Sequence, residues 1–429
     1  MASSRRHATF GLFALTCKRK EVQLLRRNLL SVGFVLALLL AAGAPLATSA
    51  QDATPTAAMT AGDLPVVAAG LTNPRGMAWG TDGTLFVALA GTGGNTPGEP
   101  PIELEFMGGP TASVVRIEAG SPVAVADGLP STRDVDGGVT GVADVAILGD
   151  QLYALEAAGG DLYGNPGTTS GVYQVNADGT TTLIADTSAW LAANPPEAAG
   201  WTAPPEGYPN PGNPFAMVAD EATGVLWVVD ALNGLVFTVT PGGAITLAAN
   251  LSEGHPVPTG IAADPAGGIY VGNLTPAPYV NGAAKVVHVA ADGTVTDTIA
   301  ELTAVTGVAV GDDGTLYAVE MSTGNTEEPP FMVPGSGRLV RQSGADSFDA
   351  VVSGLMFPVG LKAGPDGALY VALPAFGSDD GSGQIVRVDV TSGAASPVAE
   401  TMREAPECTL PVEGTPETPR VPETATPAA

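Results

Sequence analysis

Residues 306–321 read TGVAVGDDGTLYAVEM, one of six copies of a pattern that runs through most of the chain. Each copy has a run of small and apolar residues, a turn built on Asp or Gly, and a second apolar run with an aromatic residue. The other copies lie at 75–90, 140–157, 215–231, 259–274 and 359–374, and the aromatic markers are Phe86, Tyr153, Trp227, Tyr270, Tyr317 and Tyr370. A sequence pattern that recurs six times along one chain is typical of repeat folds.

Two more strand-like runs follow each copy, as in KVVHVAADG and VTDTIAEL after the fourth one. Alternating Val and Ile mark strands, and Asp-Gly or Gly-Gly pairs mark tight turns. Four strands per unit are typical of a propeller blade. The sequence therefore predicts an all-β fold, a six-bladed β-propeller with four-stranded antiparallel blades over 63–403. We expect the strand-like segment 63–71 to pair at the edge of the sixth blade and close the ring.

Composition excludes several classes of protein. The chain has 429 residues, with 17 Lys and Arg against 44 Asp and Glu, a net charge of -27 and an isoelectric point near 4.2. Nucleic acid is excluded as a partner, because phosphate contacts need clustered basic residues. The 45% hydrophobic content is too high for a disordered chain. The 56 Gly and 37 Pro argue against a helical bundle.

The first 50 residues have the order of an export signal. Seven basic residues precede an apolar run at 29–42, and small residues lead to Thr48-Ser49-Ala50. Arg26-Arg27 leaves both Sec and twin-arginine export open. The apolar run is shorter than the ~20 residues of a membrane span, so we expect none in the mature chain. The predicted location is extracellular, at the cell surface or periplasmic.

Removal of 1–50 takes away seven basic residues and one acid. The mature chain then has 10 basic and 43 acidic residues, a net charge of -33. Cys408 is the one cysteine left, so no internal disulfide can form. We predict a linker at 51–62, a disordered Pro, Thr and Glu-rich tail at 404–429, and a monomer.

In a propeller, the loop between the second and third strands of each blade and the connection from its fourth strand to the next blade share one face, here called the long-loop face. The long insertions all fall in these connections, at 91–112, 158–170, 187–213, 321–336 and 375–382. Binding sites usually occupy such loops on a rigid scaffold, so we expect an extracellular ligand or protein to bind there. The insertion 187–213 contains a predicted short helix, TSAWLAAN. Its Trp190, Trp201 and Tyr208 either cap an apolar edge or line a binding surface.

Four consecutive repeats carry a side-chain oxygen three residues after the aromatic marker. The six residues there are Leu89, Glu156, Asp230, Asn273, Glu320 and Leu373. Converging carboxylate and amide oxygens suit a hard cation, so Ca²⁺ or another divalent cation is the candidate cofactor. The predicted ligands are Glu156, Asp230, Asn273 and Glu320. The alternative is that they are merely polar strand ends.

The innermost strands of the six blades are expected to line a central channel. The residues predicted at equivalent positions of these strands are Arg75, Thr140, Phe215, Thr259, Thr306 and Val359. Arg75 either pairs with a carboxylate of the predicted cation site or holds an anionic ligand. His255 lies on the long-loop face and is the candidate general base by position. The sequence contains no GxSxG, HExxH, CxxC, Walker A or Rossmann motif, so no catalytic residues are assigned.

The repeats resemble the ScyD/ScyE family of exported bacterial propellers. The resemblance rests on GLTNPRGMAWGTDGTLFVALAGTGG, NPFAMVADEATGVLWVVDALNG, PVPTGIAADPAGGIYVGNLTP and FPVGLKAGPDGALYVA, and covers about 63–400. It implies a secreted six-bladed propeller, associated with extracellular pigment clusters in some members, and supplies no known reaction. Single repeats such as GPDGALYVA are also similar to NHL-type and SMP-30/gluconolactonase-like propellers.

Two functions follow as expectations. The first is a non-catalytic binding or interaction scaffold that uses the long-loop face. The alternative is a metal-dependent hydrolase of lactones or esters, similar to gluconolactonases, with a divalent cation in the central channel. The acid expected at the start of the first blade of such hydrolases is not evident in this sequence.

Overall fold

Antiparallel meanders build the protein into six sheets, the blades of a propeller. The computed structural model describes residues 58–99, 105–196, 211–344 and 347–390. Within them, the predicted all-β six-bladed fold is confirmed. No helix in these ranges is long and apolar enough to cross a membrane. The predicted export signal 1–50 and tail 404–429 lie outside the described residues.

Each blade has four strands, labelled A to D from the channel outward. Blade 1 comprises Pro74–Trp79, Leu85–Leu89, Met107–Glu118 and Ser121–Arg133. Blade 2 comprises Val142–Leu148, Gln151–Glu156, Gly171–Val175 and Thr181–Asp186. Blade 3 comprises Pro214–Asp220, Val225–Asp230, Leu235–Val239 and Ile245–Asn250.

The second half of the ring repeats this order. Blade 4 comprises Pro258–Ala263, Ile269–Asn273, Ala284–Val289 and Val295–Leu302. Blade 5 comprises Val305–Val310, Leu316–Glu320, Gly337–Gly344 and Ser347–Leu355. Blade 6 takes strands A to C from the end of the described chain and strand D from its start, as Gly360–Ala363, Leu369–Leu373, Gly383–Val388 and Val66–Leu71.

Several short elements decorate the ring. Thr96–Pro97 and Val139–Thr140 extend the sheet of blade 1. Two 3-10 turns lie at Ala61–Asp63 and Asp161–Tyr163. The predicted short helix is present as Thr187–Ala193, and the Asp186 side chain caps it by accepting a hydrogen bond from Ala189 N.

The A–B turns opposite the long-loop face follow from local chemistry. In blade 5, the Asp313 carboxylate accepts a hydrogen bond from Thr315 N at 2.9 Å, and Gly314 adopts a φ of +80°. An Asp side chain stabilises such a turn, and Gly tolerates the left-handed backbone that it needs. The repeated Asp-Gly pairs therefore set the hairpins that the sequence predicted.

The core lies between blades and not within any single sheet. The described residues form six buried clusters, and each joins two neighbouring blades. Tyr370 of blade 6, for example, packs edge-on against Trp79 of blade 1, with ring centroids 4.8 Å apart. Each marker aromatic thus helps to join its own blade to a neighbour, which explains why it recurs in every repeat.

The start of the described chain closes the ring. Val66–Leu71 pairs antiparallel with Gly383–Val388, as the sequence predicted for 63–71, and Leu71 is fully buried. Before it, Met59–Thr60, at the end of the predicted linker 51–62, pairs in parallel with the outer strand of blade 5. The innermost strands of blades 6 and 1 are in contact, so the ring is complete.

Truncation tests this closure. Removing residues 1–71 would expose the edge of blade 6 and part of the buried cluster between blades 6 and 1. We expect the melting temperature to fall by about 10 °C or more relative to the mature chain. Removing only 1–60 takes the two-residue strand Met59–Thr60 and serves as the control, with an expected fall under about 3 °C. Equal melting temperatures for the two truncations would contradict the closure.

Candidate functional site

The six innermost strands line a central channel that begins at the long-loop face. Their side chains enclose a cavity of about 40 Å³, here called the channel cavity. The residues at its upper level are Arg75, Ala143, Phe215, Thr259, Thr306 and Val359. The predicted position of Thr140 is wrong, because the strand pairing of blade 2 puts Ala143 there. Thr140 lies above, at the mouth.

The next level of the channel holds one large side chain among small residues. Blades 1, 4, 5 and 6 contribute glycines and blade 3 contributes Ala216, while blade 2 contributes Asp144. A Cβ atom added to Gly76 would lie 1.7 Å from Asp144 Oδ1. Asp144 also accepts hydrogen bonds from Met217 N and Val145 N, both at 2.8 Å. The carboxyl group therefore bridges blades 1, 2 and 3.

Asp144 shares the channel cavity with Lys362 of blade 6. Burial raises the pKa of Asp144 to about 7, opposed by the Met217 N–H and by the charge of Lys362. Burial lowers the pKa of Lys362, and Asp144 opposes that shift. Sequence reasoning missed both residues. The signal was a charged residue in an inner strand, in VADVAIL and VGLKAG.

Arg75 lies where the channel opens. Its guanidinium donates to four backbone carbonyls, of Asn73, Pro74, Ala375 and Val139. These bonds join blade 1 to blade 6 and to the last strand before blade 2. Burial lowers the pKa of Arg75 to about 10, so it remains a cation at neutral pH. Arg75 does not pair with any of the four predicted cation ligands.

A second cavity, of about 170 Å³ and here called the mouth cavity, lies directly above. Loops of the long-loop face build its wall. Its apolar lining comes from Val139, Phe215, Met321, Val359, Ala375 and Phe376, and its polar lining includes Arg75, Asp134, Thr140 and Asn213. The Asp134 carboxylate accepts hydrogen bonds from the backbone N–H groups of Asp136 and Gly138. The site therefore combines an apolar wall with one cation and one acid.

The four predicted cation ligands each make hydrogen bonds within their own blade or the connection beside it. Glu156 Oε1 accepts from Ala158 N at 2.8 Å, and its Oε2 is buried without a partner among the described residues. Asp230 accepts from Asn213 N, Asn233 N and Asn233 Nδ2.

The other two ligands are engaged in the same way. Asn273 donates to Pro256 O and accepts from Lys285 N. Glu320 accepts from Thr303 N and forms an ion pair with Arg338. These side chains fasten the loops of the long-loop face to the strands of the blades.

Burial changes the titration of the three acids in this set. Burial raises the pKa of Glu156 to about 8, so it is mostly protonated at neutral pH, and burial also raises the pKa of Asp230 and Glu320. Across the described ranges, no group of three or more His, Cys, Asp or Glu side chains is placed to hold a metal ion. The cation site stays a prediction.

Two of the remaining candidates, Trp190 and His255, are described by the structure and line neither cavity. Trp190 packs against Phe237 with centroids 5.1 Å apart, so it caps the core between blades 2 and 3. His255 has a left-handed backbone, with a φ of 54°, and lines neither cavity. Trp201 and Tyr208 lie outside the described residues.

Comparison with known proteins finds solved structures of low sequence identity. No family model matches the chain, and no curated protein matches it. A putative oxidoreductase, a glucose dehydrogenase from Thermus thermophilus, is 16% identical with a TM-score of 0.49, covering 76% of this chain and 99% of that one. The calcium-binding protein regucalcin from Agrobacterium tumefaciens is 12% identical with a TM-score of 0.46, covering 78% and 94%.

A protein of unknown function from Bacteroides thetaiotaomicron is 13% identical with a TM-score of 0.47, covering 76% of this chain and 75% of that one. Identities this low assign no activity to the chain. The function is therefore inferred from the residues of the two cavities.

The buried Glu156 predicts a pH effect on stability. Its raised pKa means that folding favours the protonated form. This stabilisation is complete below the ordinary glutamate pKa of 4.5 and is lost as the pH rises through about 8. Between pH 5 and pH 9, we expect the free energy of unfolding of Glu156→Gln to rise by roughly 2 to 5 kcal/mol relative to that of the wild type. Urea unfolding of both proteins at several pH values measures this. Parallel pH profiles would refute it.

The packing of Asp144 on Gly76 predicts an energetic coupling between the two positions. Gly76→Ala clashes with the carboxyl group, so it should destabilise the wild type strongly. In the Asp144→Ala background most of the clash is gone, and the same substitution should cost less. A double-mutant cycle by urea unfolding should give a coupling of about 1–3 kcal/mol. If the effects of the two substitutions on the free energy of unfolding are additive, the contact between Asp144 and Gly76 is contradicted.

Proposed function

We propose that the protein is an exported six-bladed propeller of the ScyD/ScyE type that binds a small ligand without transforming it. The ligand sits in the mouth cavity on the long-loop face, and residues 1–50 direct export. The observation that carries this proposal is the mouth cavity itself, where Phe215, Phe376 and Met321 form an apolar wall beside Arg75. A concave apolar site with a few convergent polar groups is the usual form of a small-molecule site.

The wall of this cavity is assembled from several blades. Phe215 comes from strand A of blade 3, Met321 from the B–C loop of blade 5, and Phe376 from the B–C loop of blade 6. Phe376 is 38% exposed and packs against Phe357 with centroids 4.5 Å apart. An exposed aromatic side chain held by a second ring offers a ligand a fixed apolar surface at little entropic cost.

Binding without catalysis is favoured over metal-dependent hydrolysis. Hydrolysis of this type needs converging metal ligands and a base. The four predicted ligands hydrogen-bond within their own blades or the connections beside them, and His255 lines neither cavity. The mouth cavity, in contrast, offers a small aromatic molecule a volume of about 170 Å³ beside an apolar wall.

Two aromatic probes test the proposal, neutral phenylacetamide and anionic phenylacetate. We expect at least one to bind with one-to-one stoichiometry by isothermal titration calorimetry, and to appear in the mouth cavity of a soaked crystal. Phe376→Ala should weaken that binding at least fivefold. Leu183→Ala is the matched control, because Leu183 is similarly exposed, at 41%, but lies on the outer strand of blade 2.

Absence of binding by both probes, or equal loss in the two variants, would overturn the proposal. The hydrolase alternative has its own test. A panel of lactones and aryl esters is incubated with Ca²⁺, Mn²⁺ or Zn²⁺ and with EDTA. Metal-dependent turnover that Glu156→Gln and Asp230→Asn abolish would replace the binding proposal, and we expect no turnover.

A further inference from the structure

The basic residues of the protein divide into two groups. The described residues include eight Lys and Arg side chains. Six of them form an ion pair with a carboxylate within 4.0 Å, namely Arg116, Arg133, Lys285, Arg338, Arg341 and Arg387. Arg75 and Lys362 do not, and both line the channel cavity. The two described cations without an ion pair therefore lie in the same enclosed space of a strongly acidic protein.

The channel cavity does not balance these charges. Among the described residues that line it, Asp144 is the one acid. The hydroxyls of Thr259 and Thr306 donate to the backbone carbonyls of Val305 and Pro358. With Lys362 protonated, the charge of the cavity is thus +1 when Asp144 is ionised and +2 when Asp144 is protonated. Buried charge without a counter-charge is costly, and a bound anion would remove that cost.

The donors in the cavity also have spare capacity. Lys362 has three N–H donors, and its ammonium makes no hydrogen bond to any described residue. The guanidinium of Arg75 donates through Nη1 and Nη2, while its Nε–H has no acceptor among the described residues. Both groups can therefore donate to an oxygen anion that enters from the mouth cavity.

We propose that the channel cavity binds the carboxylate of a small organic acid between Arg75 and Lys362, while the apolar body of that acid lies in the mouth cavity. This inference rests on the proposed function and names its ligand class, an amphipathic monocarboxylate. A cavity of about 40 Å³ admits a carboxylate group and excludes a ring, and the mouth cavity of about 170 Å³ gives room for the ring above it. Arg and Lys are the side chains that recognise such anions.

The charge on the ligand is tested with the same two probes, because phenylacetate and phenylacetamide have nearly the same shape. We expect phenylacetate to bind at least tenfold more tightly in calorimetric titrations at pH 7. Lys362→Met should reduce that preference to threefold or less. Lys285→Met is the matched control, since Lys285 is a surface cation paired with Asp297, and it should keep the preference.

A second variant keeps the inference testable should Lys362→Met fold poorly. Asp144→Asn removes the one negative charge that faces Arg75 and Lys362 in the channel cavity, and its amide can still accept from Met217 N. We expect it to bind phenylacetate at least threefold more tightly than the wild type at pH 8, with no change for phenylacetamide. The wild type should gain phenylacetate affinity from pH 8 to pH 6, as Asp144 takes up a proton.

The outcomes separate the two proposals. Equal affinities for both probes, or a carboxylate preference that Lys362→Met and Asp144→Asn leave unchanged, would overturn the carboxylate site and leave the mouth-cavity proposal standing. Failure of both probes to bind would overturn both. A crystal soaked with phenylacetate should show the carboxylate between Arg75 and Lys362, and a reversed orientation would also reject the inference.

Discussion

Ring closure is the constraint on which the structure depends. A six-bladed ring buries its core between blades, so each blade needs a neighbour on both sides. The pairing of Val66–Leu71 with Gly383–Val388 supplies the fourth strand of blade 6 from the other end of the described chain. This pairing holds the channel at a fixed width, because the innermost strands of blades 6 and 1 then contact each other. A site made of residues from several blades needs that rigidity.

The channel shows how a nearly symmetric ring becomes a specific site. Glycine and alanine at one level of the inner strands let the blades approach closely, and they leave space that a single large side chain can fill. Asp144 fills it from blade 2, and Lys362 reaches the same cavity from blade 6. Six similar repeats thus produce an asymmetric charge distribution through two departures from the repeat.

The polar residues at the ends of the second strands have a different role. Asp230 and Glu320 are fully buried and accept hydrogen bonds from backbone N–H groups of the adjoining connections. At the same position, blades 1 and 6 have Leu89 and Leu373, which pack in the apolar clusters instead. Both solutions secure the long-loop face. The repetition of oxygen-bearing residues therefore matches a repeated role in anchoring these loops.

The sequence by itself determined the blade count, the turns and the closure by 63–71, because these follow from local patterns that each repeat contains in full. It also identified the long-loop face, and it marked Arg75 as an unusual cation. Only the tertiary structure decided which side chains meet. Ala143 and not Thr140 lies in the channel because the pairing of blade 2 sets Glu156 opposite Val142 and Leu155 opposite Asp144, with Ala143 between them. Asp144 and Lys362 lie more than 200 residues apart in the sequence and share a cavity because the ring brings strands A of blades 2 and 6 to one axis. No local sequence pattern predicts this contact, because it depends on the closure of the whole ring.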